Sequence, residues 1–159
     1  MVKGLELFSR QLENLPPRPG LHLTPIPVEG EADSLSAILL DNDYYQCIET
    51  GTEIINGIRV LKNEFLLLFK ARAYLDLRKR KETDDSVKSD DIRKHRLDVF
   101  RISRLFPPEQ KVALAEPLKA HLWEFLEDEE TKNTDVSAFG IRGSASEILD
   151  SIRRIYGAG

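Results

Sequence analysis

Lys70 and Asp98 are the residues whose types and surroundings could do chemistry. Lys70 lies in the run FLLLFKARAYLDL. If that run is a helix, the residues three and four away are Leu66, Leu67, Ala73 and Tyr74, all apolar. Residues at those spacings share a helix face, so an ammonium is set in a stripe that should face the core. Lysine is almost never fully buried without a partner; it snorkels to water or meets an anion that suits it, such as a phosphate oxygen. Asp98 lies in DIRKHRLDVFRI, with Lys94 at i−4, His95 at i−3 and Arg101 at i+3. Cations at those positions keep a carboxylate ionised, and an ionised carboxylate can position or activate a substrate hydroxyl. Each residue also has a plainer reading. The lysine stem can pack while its head reaches water, and Asp98 can belong to a surface ion-pair network of little energetic weight.

Other residues are weaker candidates. His95 falls on the Ile92–Val99–Phe106 face and reads as a core or semi-buried histidine. Asp41-x-Asp43 has the form of a two-carboxylate magnesium site, but the pattern is common and a helix cap is the simpler reading. An intact small enzyme built on Asp41 and Asp43 is the least supported alternative. Gly143-Ser144 resembles half of a phosphate-cradling turn, yet no second glycine-rich element or carboxylate pair follows, so ordinary capping explains it. Trp123, Phe125 and Leu126 read as core.

The elements that must hold these residues follow from the pattern. The chain has 159 residues, 41% hydrophobic and 31% charged, with a net charge of −4. That suits a soluble globular domain with a real core. Residues 70–104 hold twelve basic and seven acidic side chains, against five and ten before them and six and ten from 109 on. The middle is therefore cationic inside an acidic chain, which attracts phosphates or an acidic partner surface, unless it is only a solvated helix face. The single cysteine, Cys47, excludes an internal disulfide, and no Cys/His spacing suits zinc. With no signal peptide and no apolar run long enough for a bilayer, a cytoplasmic location without a membrane partner is expected.

The expected fold class is α+β. Short N-terminal strands, including an Asn-Gly hairpin, precede a mainly α-helical bundle. A β-rich region over 1–62 and a helical region over 63–157 together make one compact domain. Gly4–Phe8 reads as a short strand, and the prolines of 14–31 read as an extended loop. Leu35–Leu40 is strand or helix, and Asp41–Asp43 caps a helix over Tyr44–Glu49. Asn56-Gly57 between β-branched runs predicts a type I′ hairpin joining Thr52–Ile55 to Ile58–Leu61. Asn63 is placed as the N-cap of a helix to Lys81, followed by a polar, mobile 82–88. Ser89 caps a second helix running to Phe106, where Pro107-Pro108 stops it. Pro108 opens a third helix to Asp128, kinked at Pro117. An acidic, flexible 127–137 follows. Ser144 or Ser146 then caps a last helix through Ile155, closed by Gly157.

ELFSR, HLTPIPV, SLSAILLD-DYY, the Asn-Gly hairpin, LLFKARAYLDL and DIRKHRLDVFRI together resemble the C-terminal half of bacterial and archaeal nucleotidyltransferase-fold proteins. The resemblance is to the AbiEii branch, toxins of abortive-infection toxin–antitoxin systems in the DNA polymerase β-like superfamily, and covers roughly residues 5–105. It implies that Lys70 contacts nucleotide phosphates, with Arg72, Lys94 and Arg101 as further nucleotide-binding cations. It also implies that Asp98 is a required carboxylate and that Glu6 occupies the family's third acidic position. An intact family member uses Mg²⁺ and a nucleoside triphosphate. Its metals sit on a Gly-Ser turn and an Asp-x-Asp strand that precede the segment resembling ELFSR. That implies no metal ligands and no cofactor in this chain alone, and a site that is catalytically incomplete. The expected partners are a nucleotide or RNA phosphate, a missing N-terminal half, an antitoxin or a second copy. The runner-up reading is a non-catalytic helical interaction module.

Overall fold

The computed structural model describes residues 7–10, 23–26, 35–40 and 42–157. The fold is α+β. The chain divides into two units, Met1–Thr50 and Gly51–Gly159, so the hairpin expected to belong with the N-terminal strands groups with the helices.

In the first unit, β1 (Leu7–Arg10), β2 (Leu23–Ile26) and β3 (Leu35–Leu40) form a sheet in the order β1-β3-β2. β3 runs parallel to β1, with Leu7 opposite Ala37, and antiparallel to β2, with Leu23 opposite Ile38. The Leu35–Leu40 run, undecided by periodicity, is thus the central strand. The expected strand Gly4–Phe8 is described from Leu7 and runs on to Arg10. β2 falls inside the stretch expected to be loop. Its Pro25 stands opposite Ser36, and β2 has only β3 beside it among the described strands. An edge is where a residue without an N–H is tolerated in a sheet. α1 (Asn42–Gly51) follows, with Asp43 in its first turn, where a carboxylate suits the positive end of the helix dipole. Tyr44 and Cys47, three residues apart on this helix, are buried.

The second unit opens with β4 (Thr52–Ile55) and β5 (Ile58–Leu61), an antiparallel hairpin with Ile55 opposite Ile58. Asn56 and Gly57 both take positive φ, 52° and 80°, as a type I′ turn requires. The hairpin exposes apolar side chains: Ile54 is 73% exposed and Ile58 67%, and Ile55 and Val60 are exposed as well.

Five helices follow. α2 (Asn63–Lys81) buries Leu67, Leu68, Ala71 and Tyr74 along one stripe. α3 (Ser89–Ser103) returns antiparallel to it, burying Ile92, Val99 and Phe100. Neither helix is capped as expected. Lys62 and Lys88 hold the N-cap positions without side-chain bonds, and the Ser89 hydroxyl instead meets Lys81 Nζ at 2.8 Å. The 82–88 connection is a built turn, with Val87 buried and its carbonyl accepting from Lys81 Nζ at 3.1 Å.

α3 ends at Ser103, short of Phe106, because Leu105 N–H and Phe106 N–H bond three residues back in tightened turns. The third helix does not begin at Pro108. Residues 104–115 form turns and loop, with Val112 N–H donating to Ile155 O at 2.9 Å. α4 (Glu116–Glu127) starts with Pro117 in its first turn, where the missing N–H has no helical partner to lose. Pro117 therefore sets a start rather than a kink. The acidic 127–137 stretch is also built, as α5 (Glu129–Lys132) and a 3-10 turn at Ser137–Phe139. Asp128 caps α5, accepting from Thr131 N–H at 2.8 Å. α6 (Ala145–Tyr156) begins with a capping box between Ser144 and Glu147.

Leu118, Leu122, Phe125 and Leu126 of α4 are buried, as are Ile148, Leu149, Ile152 and Ile155 of α6. Phe125 meets the edge of Tyr74 at a centroid separation of 5.4 Å. Trp123, expected with Phe125 and Leu126 in the core, is only half-buried, with Lys119 Nζ 5.7 Å from its ring centroid. Among the described residues no helix is long and apolar enough to cross a membrane.

Candidate functional site

Because α2 and α3 run antiparallel, Lys70 and Asp98 meet across the helix pair. Lys70 Nζ lies 3.3 Å from Asp98 Oδ2. The side chains retain 27% and 21% of their exposure, so the ammonium is neither in the core nor free in water. Arg101 Nη1 lies 3.4 Å from the other oxygen of Asp98, one turn along α3. Two cations thus meet one carboxylate, with Lys94 exposed one turn earlier on the same helix. Asp98 balances one of them, and the remaining positive charge faces a partly open surface.

His95 sits beside this group and is half-buried, and its Nδ1 is buried without a hydrogen-bond partner. Burial holds its pKa below the ordinary histidine value, Lys70 pushes it the same way, and Asp98 opposes. At neutral pH His95 is therefore a neutral ring, and the positive charge here belongs to the lysines and arginine.

Not every expected residue arrives. Arg72 turns along its own helix, with Nε 3.1 Å from Asp76 Oδ2. Glu6 and Asp41 lie outside the described residues, and Asp43 is in the first turn of α1. Among the described residues no group of three or more His, Cys, Asp or Glu side chains is placed to hold a metal ion. Ser144 spends its hydroxyl and its N–H on Glu147, which makes Gly143-Ser144 a helix cap.

A second charged cluster, two turns further along α2, was not singled out from the sequence. Asp128 is buried. Its Oδ2 accepts from Tyr74 Oη at 2.7 Å and from Thr131 N and Oγ1 at 2.8 and 2.9 Å, and its Oδ1 is ion-paired with Arg78. Arg96 is 9% exposed. Its guanidinium carbon lies 5.8 Å from the Tyr74 ring centroid, and its Nη1 is 3.0 Å from Glu130 Oε1. Burial raises the Tyr74 pKa, and the Glu130 charge adds to the rise, so the phenol stays a donor. Burial also pushes the Glu130 pKa up, but Arg96 and the Tyr74 hydroxyl outweigh it and hold the carboxyl below its ordinary value. The signal for Arg96 was the one used for Lys70: of the residues three and four away, Ile92, Val99 and Phe100 are apolar. Its partner Glu130, like the Asp128 that pairs with Arg78, lies in a stretch whose composition reads as a loop.

Compared with known protein families, with curated proteins and with solved structures, the chain has no significant match.

Proposed function

We propose that the Lys70–Asp98 face binds a phosphate-bearing ligand, a nucleotide, as the binding part of a nucleotidyltransferase-like site. The carrying observation is the Lys70 Nζ–Asp98 Oδ2 contact of 3.3 Å between two helices, with Arg101 on the second oxygen. Asp98 holds the ammonium at a defined place on a half-open surface. A phosphate arriving there meets Lys70 and Arg101 around Asp98, with Lys94 and Asp91 earlier on the same helix, three cations to two carboxylates. Such an excess of fixed cations favours an anion with several oxygens. Asp98 is also placed to accept a hydrogen bond from a ligand hydroxyl. Binding and orientation are the roles these residues take in this reading.

The test is an amide-resolved NMR titration of the chain with each ribonucleoside triphosphate, with and without Mg²⁺. Saturable shifts centred on Lys70, Lys94 and Asp98 are expected, with affinity reduced about tenfold in Lys70→Met, the scale of one charge-assisted contact. Absence of shifts there with every nucleotide would sink the reading.

The hairpin favours a second reading, self-association. Ile54, Ile55, Ile58 and Val60 are exposed together, and among the described strands β4 and β5 pair only with each other. Exposed strand edges of this kind invite pairing with another chain. Light scattering should find dimers that Ile54→Lys with Ile58→Lys converts to monomers. A monomer at every concentration of the unaltered chain would remove this reading.

A further inference from the structure

His95 lies one turn before Asp98 on α3, at the spacing that puts two side chains on one helix face. Asp98 in turn meets Lys70 across the helix pair. The two ring nitrogens of His95 differ in their surroundings. Nδ1 is buried and has no hydrogen-bond partner. Nε2, at the tip of the ring, is not closed off in that way, and no described residue hydrogen-bonds to it, so it is the nitrogen that reaches the surface. The nearby carboxylate does not take it up: Asp98 gives one oxygen to Lys70 and the other to Arg101. A ring nitrogen open to a ligand thus stands beside a fixed ammonium.

The burial of Nδ1 also sets what that open nitrogen is. A neutral imidazole carries one N–H and one lone pair. A buried N–H without an acceptor is the rarer orphan, so the lone pair belongs on Nδ1 and the proton on Nε2. A second proton would have to sit on Nδ1, where nothing accepts it. The charges around the ring do not force it there. Burial disfavours the charged ring most, Lys70 on α2 adds to that, and Asp98 on α3 opposes it; on α3 Lys94 acts with Lys70, and Asp91 with Asp98.

We infer that His95 is a ligand-binding residue of this face, a neutral donor that gives its Nε2–H to an unprotonated phosphate oxygen drawn in by Lys70 and Arg101. This contact presupposes the nucleotide reading of the face and adds direction to it. Lys70 acts as a compact charge on a flexible stem. The imidazole N–H lies in the plane of a half-buried ring and favours an acceptor nearly in line with it. His95 therefore selects which oxygen faces α3, while the cations supply the attraction. Because the ring is already neutral, the contact takes up no proton and keeps its strength as pH rises, unlike a phosphate contact made by an imidazolium.

The experiment is nitrogen-15 NMR of the histidine rings in the full chain, with the His95 signals assigned by their loss in His95→Gln, during titration with ATP and then with each other ribonucleoside triphosphate. The Nε2–H tautomer is expected in the free chain at about pH 7.5. At saturation the Nε2 signal should move with the same affinity as the amides around Lys70, and the ring should stay neutral. Affinity should hold within about twofold from about pH 7.5 to about pH 9. His95→Leu should weaken binding about three- to tenfold, the scale of one net hydrogen bond. His95→Gln, which keeps an N–H near the place of the ring tip, should restore most of that loss. An Nδ1–H tautomer, a doubly protonated ring in the complex, or amide shifts at Lys70 and Asp98 that leave the His95 ring unmoved would each overturn the inference and leave the nucleotide reading standing. No shifts with any nucleotide would remove that reading, and His95 as a ligand contact with it.

Discussion

At the Lys70 end of α2, one carboxylate holds two cations through contacts of 3.3 and 3.4 Å, both side chains of the interhelical pair keep a fifth or more of their exposure, and Lys94 is left over. Eight residues along the same helix, about 12 Å of rise, Arg78 and Tyr74 meet a buried Asp128 whose oxygens are both engaged. Both clusters join α2 to another element by charge. The first has spare positive charge and access. The second has a completed set of bonds around a carboxylate that is nearly closed off from water. Substitution should therefore affect ligand binding at one end and folding at the other.

The largest effect should come from Asp128→Ala. It removes the partner of Arg78, Tyr74 and Thr131 together. Because the Arg78 left behind is half-exposed, the loss comes from the buried donors of Tyr74 and Thr131 and the α5 cap, about 2–4 kcal/mol, read as a fall in the urea midpoint. A loss below about 1 kcal/mol would mean that water reaches Asp128 and that the two ends are alike. Tyr74→Phe is milder. It removes the phenol donor shared by Asp128 and Glu130 while Thr131 and Arg78 still satisfy Asp128, and should cost about 1–2 kcal/mol. Lys70→Met should change stability by less than about 1 kcal/mol, since a partly exposed pair contributes little, although it lowers nucleotide affinity about tenfold under the proposed reading. That contrast, small in stability and large in binding, separates a ligand site from a structural pair.

The smallest effect is in pH. The folded pKa of His95 lies below its ordinary value. Between those two values the unfolded chain binds the proton more readily, so stability falls as pH drops below about 6.5. His95→Gln should flatten that part of the curve. A stability rise on acidification through this window would place His95 beside net negative charge and reverse the electrostatic picture of the Lys70 end.

These contrasts also explain what the sequence discloses. The Asn56-Gly57 turn, the α2 stripe and the Lys70–Asp98 pair are readable because each depends on residues near in sequence or on a helical period. Lys70 and Asp98 are 28 positions apart, yet once α2 and α3 form antiparallel their meeting follows. The α4 start was misplaced because the competing influence is distant: Val112 gives its N–H to Ile155, which no local window contains. Asp128 was missed for the same reason. A lone aspartate before Glu129-Glu130 reads as solvated acid, and only Tyr74, 54 residues earlier, makes it a buried acceptor. Pro25 misled in the opposite direction, because a proline that ends most strands is compatible with an edge strand.

The bond between Tyr156 and α2 has a consequence for synthesis. Tyr156 is buried, and its hydroxyl donates to Glu64 O at 2.7 Å across 92 residues. The first turn of α2 leaves the ribosome early, but the side chain that covers it emerges only after α3, α4 and α5. At roughly 5–20 residues per second, the base of α2 waits some seconds without its lid, with Leu67 and Leu68 held only by whatever has already emerged. The helical unit is thus completed from its far end backwards, and a ribosome stalled shortly before Tyr156 would carry a chain that has every interior helix and still lacks closure.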